Sequence, residues 1–524
     1  MLTKKNKDME KNIFEMSKDG KSEYCIDVIK VGTLTPIDGS DFLAQTFIGD
    51  ASIVVRKDQV NEGDLLFYAS NECQLNEKFL SANNLFEIGC YEKNSNANEV
   101  KELLDAAEKC EVELSNCCND EQAESLRNER DAYRAKAKAK CGFFAHNGRV
   151  RMIRLKKTPS MGYLFSKDEM AKYCPKVKDI NMEDYLNVDF DTVDGELFVK
   201  AYVPPINEQG VRSNKNNKRH KKEKRFDRII EWSYHYDTNP LKSNIWKIRP
   251  NDVVTITNKL HGTSWIAGKV KTRNPKKISI YKRLWNKIVD TFGIFKNTRF
   301  IDYTIDYDVV YSSRKVIKNQ YINTKVGPGY YKFDVWKDAT DVIAPYLEED
   351  MTIYGEICGW AGKTAIQKGY DYGCNQGEFF IMPYRITTKI KDGSDDKNEW
   401  NVTEVKEWTE HLIKNHPELA DKIRPITVFY HGTLANLYPH VKIQEHWHEN
   451  ILQEMMNDKE HFGMEELEPM CKNKVPREGV VVRIMDDPFA EAFKLKTLAF
   501  REREAKSIDK GEVDIEMEEA YVNN

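Results

Sequence analysis

The sequence lacks the signals that would place it in a membrane or outside the cell. No apolar run approaches the ~18 residues that a membrane-spanning helix needs, so no membrane partner is expected. The first residues are charged and lead into no apolar segment, so no signal peptide is predicted. Because eleven cysteines occur without a secretory signal, reduced thiols and a cytoplasmic location are expected.

Metal-binding cysteine motifs and a surplus of charge are also missing. Cys117 and Cys118 lie near Cys110 and Cys141 in the sequence, but no Cys-x-x-Cys spacing supports a metal site. The formal net charge is −4 although 31% of the residues are charged. A nucleic-acid partner therefore has to be inferred from local basic patches rather than from the net charge.

The chain does contain enough apolar and aromatic residues for stable cores, at 40% and 11% of its 524 residues. Short β-rich runs between turn residues fill 22–93 and 142–166, which is typical of a small antiparallel barrel. Residues 97–140 show helical spacing instead and predict a helical hairpin inserted in that barrel.

The predicted architecture is therefore α+β, with four segments. These are an N-terminal OB-like β-barrel module at 1–170, a linker at 171–225, a large mixed domain built on antiparallel strands at 226–506, and an acidic tail at 507–524. The linker contains a basic block at 214–225. For this block a solvated loop and a contact with phosphate backbone are both open.

The most informative feature of the sequence is a set of polar residues in a fixed order. A lysine before a glycine turn is followed by an arginine, two strand-borne glutamates and a Lys-x-Lys pair. The fragments are Lys259-Leu260-His261-Gly262-Thr263-Ser264, Ser313-Arg314, Tyr354-Gly355-Glu356-Ile357, Glu478-Gly479-Val480-Val481-Val482-Arg483 and Phe493-Lys494-Leu495-Lys496. Such a set can hold a nucleoside triphosphate and transfer its α-phosphate to the lysine.

Residue alternation predicts how the cationic side chains are presented. Thr255, Thr257 and Lys259 should share one face of a strand, and Lys494 and Lys496 should share one face of another. To attack phosphorus Lys259 must be neutral, and nearby cations or desolvation would favour the neutral form. An exposed hairpin lysine and a solvated basic edge strand are the alternative interpretations.

The two glutamates lie in apolar strands, where an unpaired carboxylate is costly. A divalent metal, a ribose hydroxyl or one of the lysines would justify Glu356 and Glu478 there. A purely structural ion pair remains the alternative for either residue.

The five fragments together resemble motifs I, Ia, III, IV and V of the covalent nucleotidyltransferases, which include ATP-dependent ligases and capping enzymes. With His261 in its third position, the first fragment resembles motif I of the RNA ligase 2-like branch, which seals duplexed RNA ends. Residues 379–386 resemble motif IIIa, with Tyr384 in the position that stacks on adenine. Segments at 31–39, 63–68 and 149–155 are similar to the OB-like module of Deinococcus-type RNA ligases, and 235–238 fits a phage-like version of the family.

The resemblance implies an ATP-dependent RNA ligase with Lys259 as the residue that becomes adenylylated. It also implies an ATP site formed by His261, Gly262, Arg314, Glu356, Tyr384, Glu478, Lys494 and Lys496, with Mg²⁺ or Mn²⁺ supported by Glu356 and Glu478. The implied partner is nicked duplex RNA or an RNA/DNA hybrid, as in RNA repair, and a monomer is favoured.

Three other functions remain open at this point. An mRNA-capping guanylyltransferase or a DNA ligase would share most of these motifs, but each normally carries a C-terminal OB domain, for which too little sequence follows Lys496. From a different class, a catalytically inactive nucleic-acid-binding protein would need no intact site, whereas here every chemical position is filled.

Overall fold

The chain divides into two compact units, Met1–Pro204 and Pro205–Asn524. A computed structural model describes residues 13–17, 24–117, 119–186, 188–203, 228–235, 238–293, 296–318, 331, 333–389, 397–443, 446–464, 466–485 and 491–510. Both units mix α-helices with mainly antiparallel β-strands, as the sequence predicts.

The first unit contains fourteen described strands. They are β1 (Phe14–Glu15), β2 (Ile26–Lys30), β3 (Thr35–Pro36), β4 (Leu43–Ile48), β5 (Ala51–Arg56), β6 (Leu65–Ala69), β7 (Cys73–Leu75), β8 (Ile153–Leu155), β9 (Thr158–Ser160), β10 (Tyr163–Phe165), β11 (Asp189–Phe190), β12 (Thr192–Val193), β13 (Glu196–Leu197) and β14 (Val199–Ala201). Its α-helices are α1 (Glu77–Ala82), α2 (Ala97–Ser115), α3 (Asp120–Ala139) and α4 (Lys167–Tyr173), with 3-10 turns at Ile88–Lys93, Pro175–Asp179 and Met182–Tyr185.

The strands of the first unit form several small open sheets. The largest has the order β10-β6-β2-β11, and a second has the order β3-β4-β5. Among the described residues no sheet closes into a barrel, so the OB-like module stays a prediction. An aromatic core that includes Phe67, Phe165 and Phe190 joins the larger sheet to neighbouring elements.

Two further segments of the first unit bear on the predicted boundaries. Helices α2 and α3 lie where the sequence predicts a helical hairpin, and they are largely exposed and rich in charge. Strands β11 and β14 pair with β2 and β7, so residues 189–201 of the predicted linker belong to this unit. The basic block at 214–225 lies outside the described residues.

The second unit contains eleven described strands. They are β15 (Asn239–Pro240), β16 (Val253–Lys259), β17 (Thr263–Pro275), β18 (Tyr303–Ser312), β19 (Thr352–Ala361), β20 (Thr364–Ala365), β21 (Phe379–Lys389), β22 (Lys397–Glu399), β23 (Val428–Thr433), β24 (Gly479–Ile484) and β25 (Ala492–Lys496). Its α-helices are α5 (Leu241–Asn244), α6 (Ile280–Phe292), α7 (Val335–Ile343), α8 (Val402–Asn415), α9 (Leu434–Leu437), α10 (Trp447–Asn457), α11 (Lys459–Phe462) and α12 (Leu498–Asp509), with 3-10 turns at Ile245–Lys247, Lys296–Thr298, Ala344–Tyr346 and Pro417–Leu419.

A five-stranded sheet in the order β15-β25-β24-β16-β23 carries one side of the candidate site. One face of its strands is apolar and buried, with Ile256, Val482 and Leu495 in a common core. Antiparallel pairing places Lys259 opposite Gly479 and Gly479 opposite Lys496. Because directly paired residues point to the same side, the other face collects the lysines of β16 and β25.

A second sheet carries the other side, with β18-β17-β19-β21-β22 as its main order. Its core face packs around Trp265 and Ile353, together with residues of α7 and α8 such as Trp336. The opposite face includes Ser264 and Glu356, which are directly paired. The three-residue turn 260–262 connects β16 of the first sheet to β17 of the second.

The spacing of Trp408, Leu412, Leu419 and Ile423 predicts mostly helix over 401–465. The described residues of this range hold four α-helices but also strand β23. This strand pairs with β16 and extends the five-stranded sheet, so sheet pairing overrides the local helical pattern there. Helix α10 begins at Trp447, and His446 is the residue that precedes it. In the part of the chain that the structure describes, no helix has the length and apolar character to cross a bilayer.

Because β25 has one buried and one partly exposed face, substitutions at neighbouring positions should differ strongly in their effect on the free energy of unfolding. Leu495 is fully buried, so Leu495→Ala should lower the free energy of unfolding by about 2–5 kcal/mol. Lys494→Ala lies on the opposite face and should cost much less. Chemical denaturation of both variants measures the difference, and an equal loss would contradict the assignment of the two faces.

Candidate active site

Lys259 lies at the end of β16 and forms an ion pair that the strand register builds. Its Nζ lies 2.7 Å from Glu478 Oε1, and the Glu478 side chain is only 3% exposed. Glu478 immediately precedes β24, whose Gly479 pairs with Lys259. The pairing of β16 with β24 therefore brings together two predicted site residues that are 219 positions apart in the sequence.

Gly262 lets the chain turn tightly against the neighbouring sheet. A Cβ at this position would lie 2.3 Å from Ile357 O and 2.8 Å from Glu356 Cγ, so only glycine fits without movement of the backbone. The Gly262 N–H donates to Glu356 Oε1 at 3.0 Å. The glycine is thus required for close packing, and this packing holds Glu356 beside the turn that follows Lys259.

His261 lies half-buried beside the same ion pair. Its Nδ1 lies 3.8 Å from Glu478 Oε2, and its ring meets Tyr370 and Phe500 edge to face at 4.9 Å each. Burial lowers the pKa of His261 to about 4, although Glu478 and Glu504 act in the opposite direction. The ring is therefore neutral near pH 7, and Lys259 carries the positive charge opposite Glu478.

Lys494 and Lys496 lie on the face of the five-stranded sheet that carries Lys259, because Val481 pairs with Lys494 and Gly479 with Lys496. Lys496 Nζ lies 2.7 Å from Glu504 Oε1. Burial alone would raise the pKa of Glu504, but Lys496 and Lys259 outweigh it and lower that pKa. Two ammonium–carboxylate pairs thus stand side by side at the ends of β16 and β25.

The two glutamates offer different possibilities to a divalent cation. Glu478 Oε2 is buried and has no hydrogen-bond partner among the described residues, an arrangement that a hard cation would satisfy. Glu356 Oε1 already accepts the Gly262 N–H. Among the described His, Cys, Asp and Glu residues, no group of three ligand atoms includes Glu356 or Glu478, so a cation here would also need phosphate or water oxygens, as Mg²⁺ commonly does.

Tyr384 and Arg314 are placed by sheet register rather than by direct contact with Lys259. Tyr384 is the extra residue of a β-bulge, since Pro383 pairs with Gly355 and Arg385 with Tyr354, and a bulge redirects its side chain. Arg483 of the five-stranded sheet donates through Nη1 to Tyr384 O at 2.6 Å, which draws Tyr384 toward that sheet.

Arg314 follows β18 at the end of the six-stranded sheet where Glu356 also lies. Ser312 is the last residue of β18 and pairs with Ile266 of β17. The chain then turns, with the Ser313 N–H donating to Val316 O at 3.0 Å. Arg314 therefore lies beside the beginning of β17, the strand that pairs with Glu356 through Ser264.

Three residues near the turn were missed by the sequence reasoning. The Tyr372 hydroxyl accepts the His261 N–H at 2.6 Å, and Gln367 Nε2 donates to Gly262 O at 2.8 Å. Both lie in the irregular segment 366–378, which has no periodic pattern. Glu504 lies on α12, whose beginning is marked by Thr497 accepting the Phe500 N–H; a threonine before a helix-forming run could have revealed that helix but not its contact with Lys496.

Comparison with known proteins yields only distant structural similarity. No family model and no curated protein matches the chain. Solved structures similar to it include a mutant of the Naegleria gruberi RNA ligase with ATP and Mn, at 13% sequence identity and a TM-score of 0.44 over 91% of this chain and 98% of that chain. Another mutant of that ligase, with AMP and Mn, has 12% identity and a TM-score of 0.45 over 92% and 99% of the two chains.

The Naegleria gruberi RNA ligase with PPi has 12% identity and a TM-score of 0.41 over 93% of this chain and 99% of that chain. Similarity at this level does not establish the family or the activity of the present chain. The chemical assignment therefore depends on the site itself.

The lowered pKa of His261 leads us to expect a specific pH dependence of the folding stability. Its pKa of about 4 lies below the ordinary 6.5, so the unfolded chain binds a proton in this window while the folded chain does not. Stability should therefore fall as the pH falls from about 6.5 to about 4, by up to about 3 kcal/mol. His261→Phe keeps a neutral ring and should flatten this part of the profile.

Denaturant unfolding of both proteins across that pH range measures the effect. A variant whose stability still fell as steeply as that of the native chain would assign the loss to other titrating groups.

Proposed function

We propose that this chain is an ATP-dependent RNA ligase that joins a 3′-hydroxyl to a 5′-phosphate through a lysyl-AMP intermediate. The observation that carries the proposal is the lysine–carboxylate pair Lys259–Glu478, with Lys494 and Lys496 on the same sheet face and Glu356 beside the turn. A structural ion pair alone would not require two further lysines on that face. A triphosphate would, because its charge needs several preorganised cations.

In the first step Lys259 Nζ attacks the α-phosphorus of ATP. The N–P bond forms, the bond from that phosphorus to the bridging oxygen breaks, and pyrophosphate leaves with the electron pair. Before it attacks, the ammonium must lose a proton, and Glu478 Oε1 lies within hydrogen-bond distance of it at 2.7 Å. The ion pair also fixes the position of Nζ, which favours attack in a defined geometry.

The other site residues have supporting roles in this proposal. Lys494 and Lys496 bind phosphate oxygens, and Glu504 holds Lys496 in place until the nucleotide arrives. Tyr384 stacks on the adenine, Arg314 contacts the ribose or the RNA end, and Glu356 holds the ribose or supports a metal. Neutral His261 and Gly262 shape the turn.

A divalent cation, Mg²⁺ or Mn²⁺, fits the buried oxygen of Glu478 and would be held by Glu478 with support from Glu356. When bound, such an ion supplies positive charge that stabilises the phosphate oxygens during transfer.

In the second and third steps AMP moves from Lys259 to an RNA 5′-phosphate, and a 3′-hydroxyl then displaces it. Nicked duplex RNA or an RNA/DNA hybrid is the proposed substrate, with RNA repair as the setting. The first unit is proposed to bind RNA as an OB-like module, supported by Arg151 and the exposed Arg154; Arg149 is buried in an ion pair with Glu72 and is not available to RNA. We further propose that the protein is a cytoplasmic monomer.

The competing functions make different predictions about the covalent adduct. A capping guanylyltransferase would form it with GTP, a DNA ligase would form it with ATP but seal DNA nicks, and an inactive binding protein would form none. Labelled ATP and GTP, followed by sealing assays on matched RNA, hybrid and DNA nicks, separate the four. Sealing of DNA nicks with no sealing of RNA would reject the RNA assignment.

The nucleophile can be tested without breaking the buried ion pair. Lys259→Arg keeps a positive charge opposite Glu478, but its guanidinium cannot be deprotonated in a protein. This variant should fold normally and form no detectable AMP adduct, whereas Lys259→Ala should lose the adduct and some stability, because it leaves a buried carboxylate unpaired.

Gel detection of labelled adduct and a thermal melt provide the two readouts. The matched control is Lys506→Ala on the exposed side of α12, which should form adduct at the normal rate. A full-strength adduct in Lys259→Arg would reject the proposed nucleophile.

The Lys-x-Lys pair should contribute to the rate of adenylylation. Replacing Lys494 or Lys496 by Ala should slow adduct formation on the order of 10²–10³, the effect of removing one preorganised charge donor. Single-turnover kinetics with labelled ATP measures this rate. If both variants react as fast as the native chain, the pair is only a solvated strand face.

A further inference from the structure

Helix α6 exposes an apolar face that no other described part of the molecule covers. Ile280, Tyr281, Leu284 and Phe292 are 77%, 86%, 59% and 69% exposed. Trp285 and Ile288 are 37% and 38% exposed, and the Trp285 Nε1–H donates to Thr298. With 3.6 residues per turn these six side chains fall within about 140° of the helix circumference, so they form one continuous stripe.

The attachment of this helix to the protein is the reverse of the usual amphipathic arrangement. A surface helix normally turns its apolar stripe toward the core. Here the buried residues of α6 are Asn286 and Val289. Asn286 exchanges hydrogen bonds of 2.8 Å with the backbone N–H and C=O of Phe300. Polar contacts thus hold the helix in place while its apolar stripe faces outward.

The charge around the stripe has one predominant sign. Residues 276–293 contain five basic residues, Lys276, Lys277, Lys282, Arg283 and Lys287, and a single acidic one, Asp290. All five cationic side chains are exposed. This segment is therefore strongly basic within a chain whose formal net charge is −4.

We propose that α6 docks on the surface of an anionic lipid bilayer, with its apolar stripe in the headgroup region. A basic helix with Trp, Phe, Leu and Ile on one side is the pattern of an interfacial helix. Anionic headgroups complement the flanking lysines, and the acyl boundary takes up the aliphatic side chains.

Other occupants fit the stripe less well. RNA would engage the lysines and aromatic rings, but it offers nothing apolar to Ile280, Leu284 and Ile288. A second copy of the same helix would bring two basic segments together, which costs electrostatic energy. Attachment of one helix to a bilayer surface needs no spanning segment, so the proposal goes beyond the expectation of no membrane partner.

The topology leaves the candidate active site accessible when α6 is attached. The helix follows β17, whose first residue adjoins the Gly262 turn and whose last residue is Pro275. Twelve steps of about 3.3 Å separate the two ends of this strand, a span of about 40 Å. Docking through α6 therefore contacts the far end of the β17–β18 hairpin.

Sedimentation of the full chain with sucrose-loaded vesicles tests the proposal. Vesicles of phosphatidylcholine containing phosphatidylserine should bind the protein at least about tenfold more tightly than vesicles of phosphatidylcholine alone, and added salt should weaken the binding. The double variant L284E/I288E should lose at least about tenfold in affinity. The triple variant K282Q/R283Q/K287Q should lose about 100-fold, at about fivefold for each cation.

A control is Phe42→Glu, which places a single glutamate at a 70% exposed aromatic position of the first unit; it should bind vesicles like the native chain. Unchanged unfolding midpoints establish that the variants are folded. Equal binding to the two kinds of vesicle, no binding to either, or full binding by L284E/I288E would overturn the proposal. So would a native dimer that this double variant dissociates, or a loss of RNA binding without any vesicle binding.

Discussion

The buried carboxylate of Glu478 constrains the arrangement of the strands around it. A charge taken out of water is strongly unfavourable unless a partner lies close, and Lys259 at 2.7 Å provides one. This contact requires β16 to pair with β24 in the register that sets Lys259 opposite Gly479. The pairing of β24 with β25 then sets Lys496 opposite the same Gly479, so one ion pair and two strand pairings define the cationic face.

The second sheet is fixed to the first by the lack of a side chain at Gly262. Because a Cβ there would collide with Ile357 O, the turn after Lys259 can pack directly on β19. The Gly262 N–H then binds Glu356. Lys259 of the first sheet and Gly262, which binds Glu356 of the second sheet, are thus only three positions apart in the sequence. The positions of both glutamates therefore follow from the path of this turn.

Local sequence was sufficient for those parts of the site that depend on alternation. The opposite faces of Phe493–Lys496 follow from the period of two, and the structure confirms that Phe493 and Leu495 are in the core. The position of β24 was also predictable, because Val480, Val481 and Val482 form a β-branched run. The bulge at Tyr384 and the contact between Lys496 and Glu504 were not, since both depend on pairing and packing between distant segments. Pairing between distant segments also could not be predicted in the first unit. Its short β-rich runs between turn residues indicated a barrel, whereas the described strands form open sheets.

Two features of the chain depart from rules that folded proteins ordinarily obey. Buried polar atoms are ordinarily hydrogen-bonded, yet Glu478 Oε2 has no such partner among the described residues. Apolar helix faces ordinarily turn inward, yet that of α6 turns outward. Sequences tolerate such departures chiefly where function requires them. A cation would resolve the first and a lipid surface the second, and because the two lie at opposite ends of β17, each can be satisfied without disturbing the other.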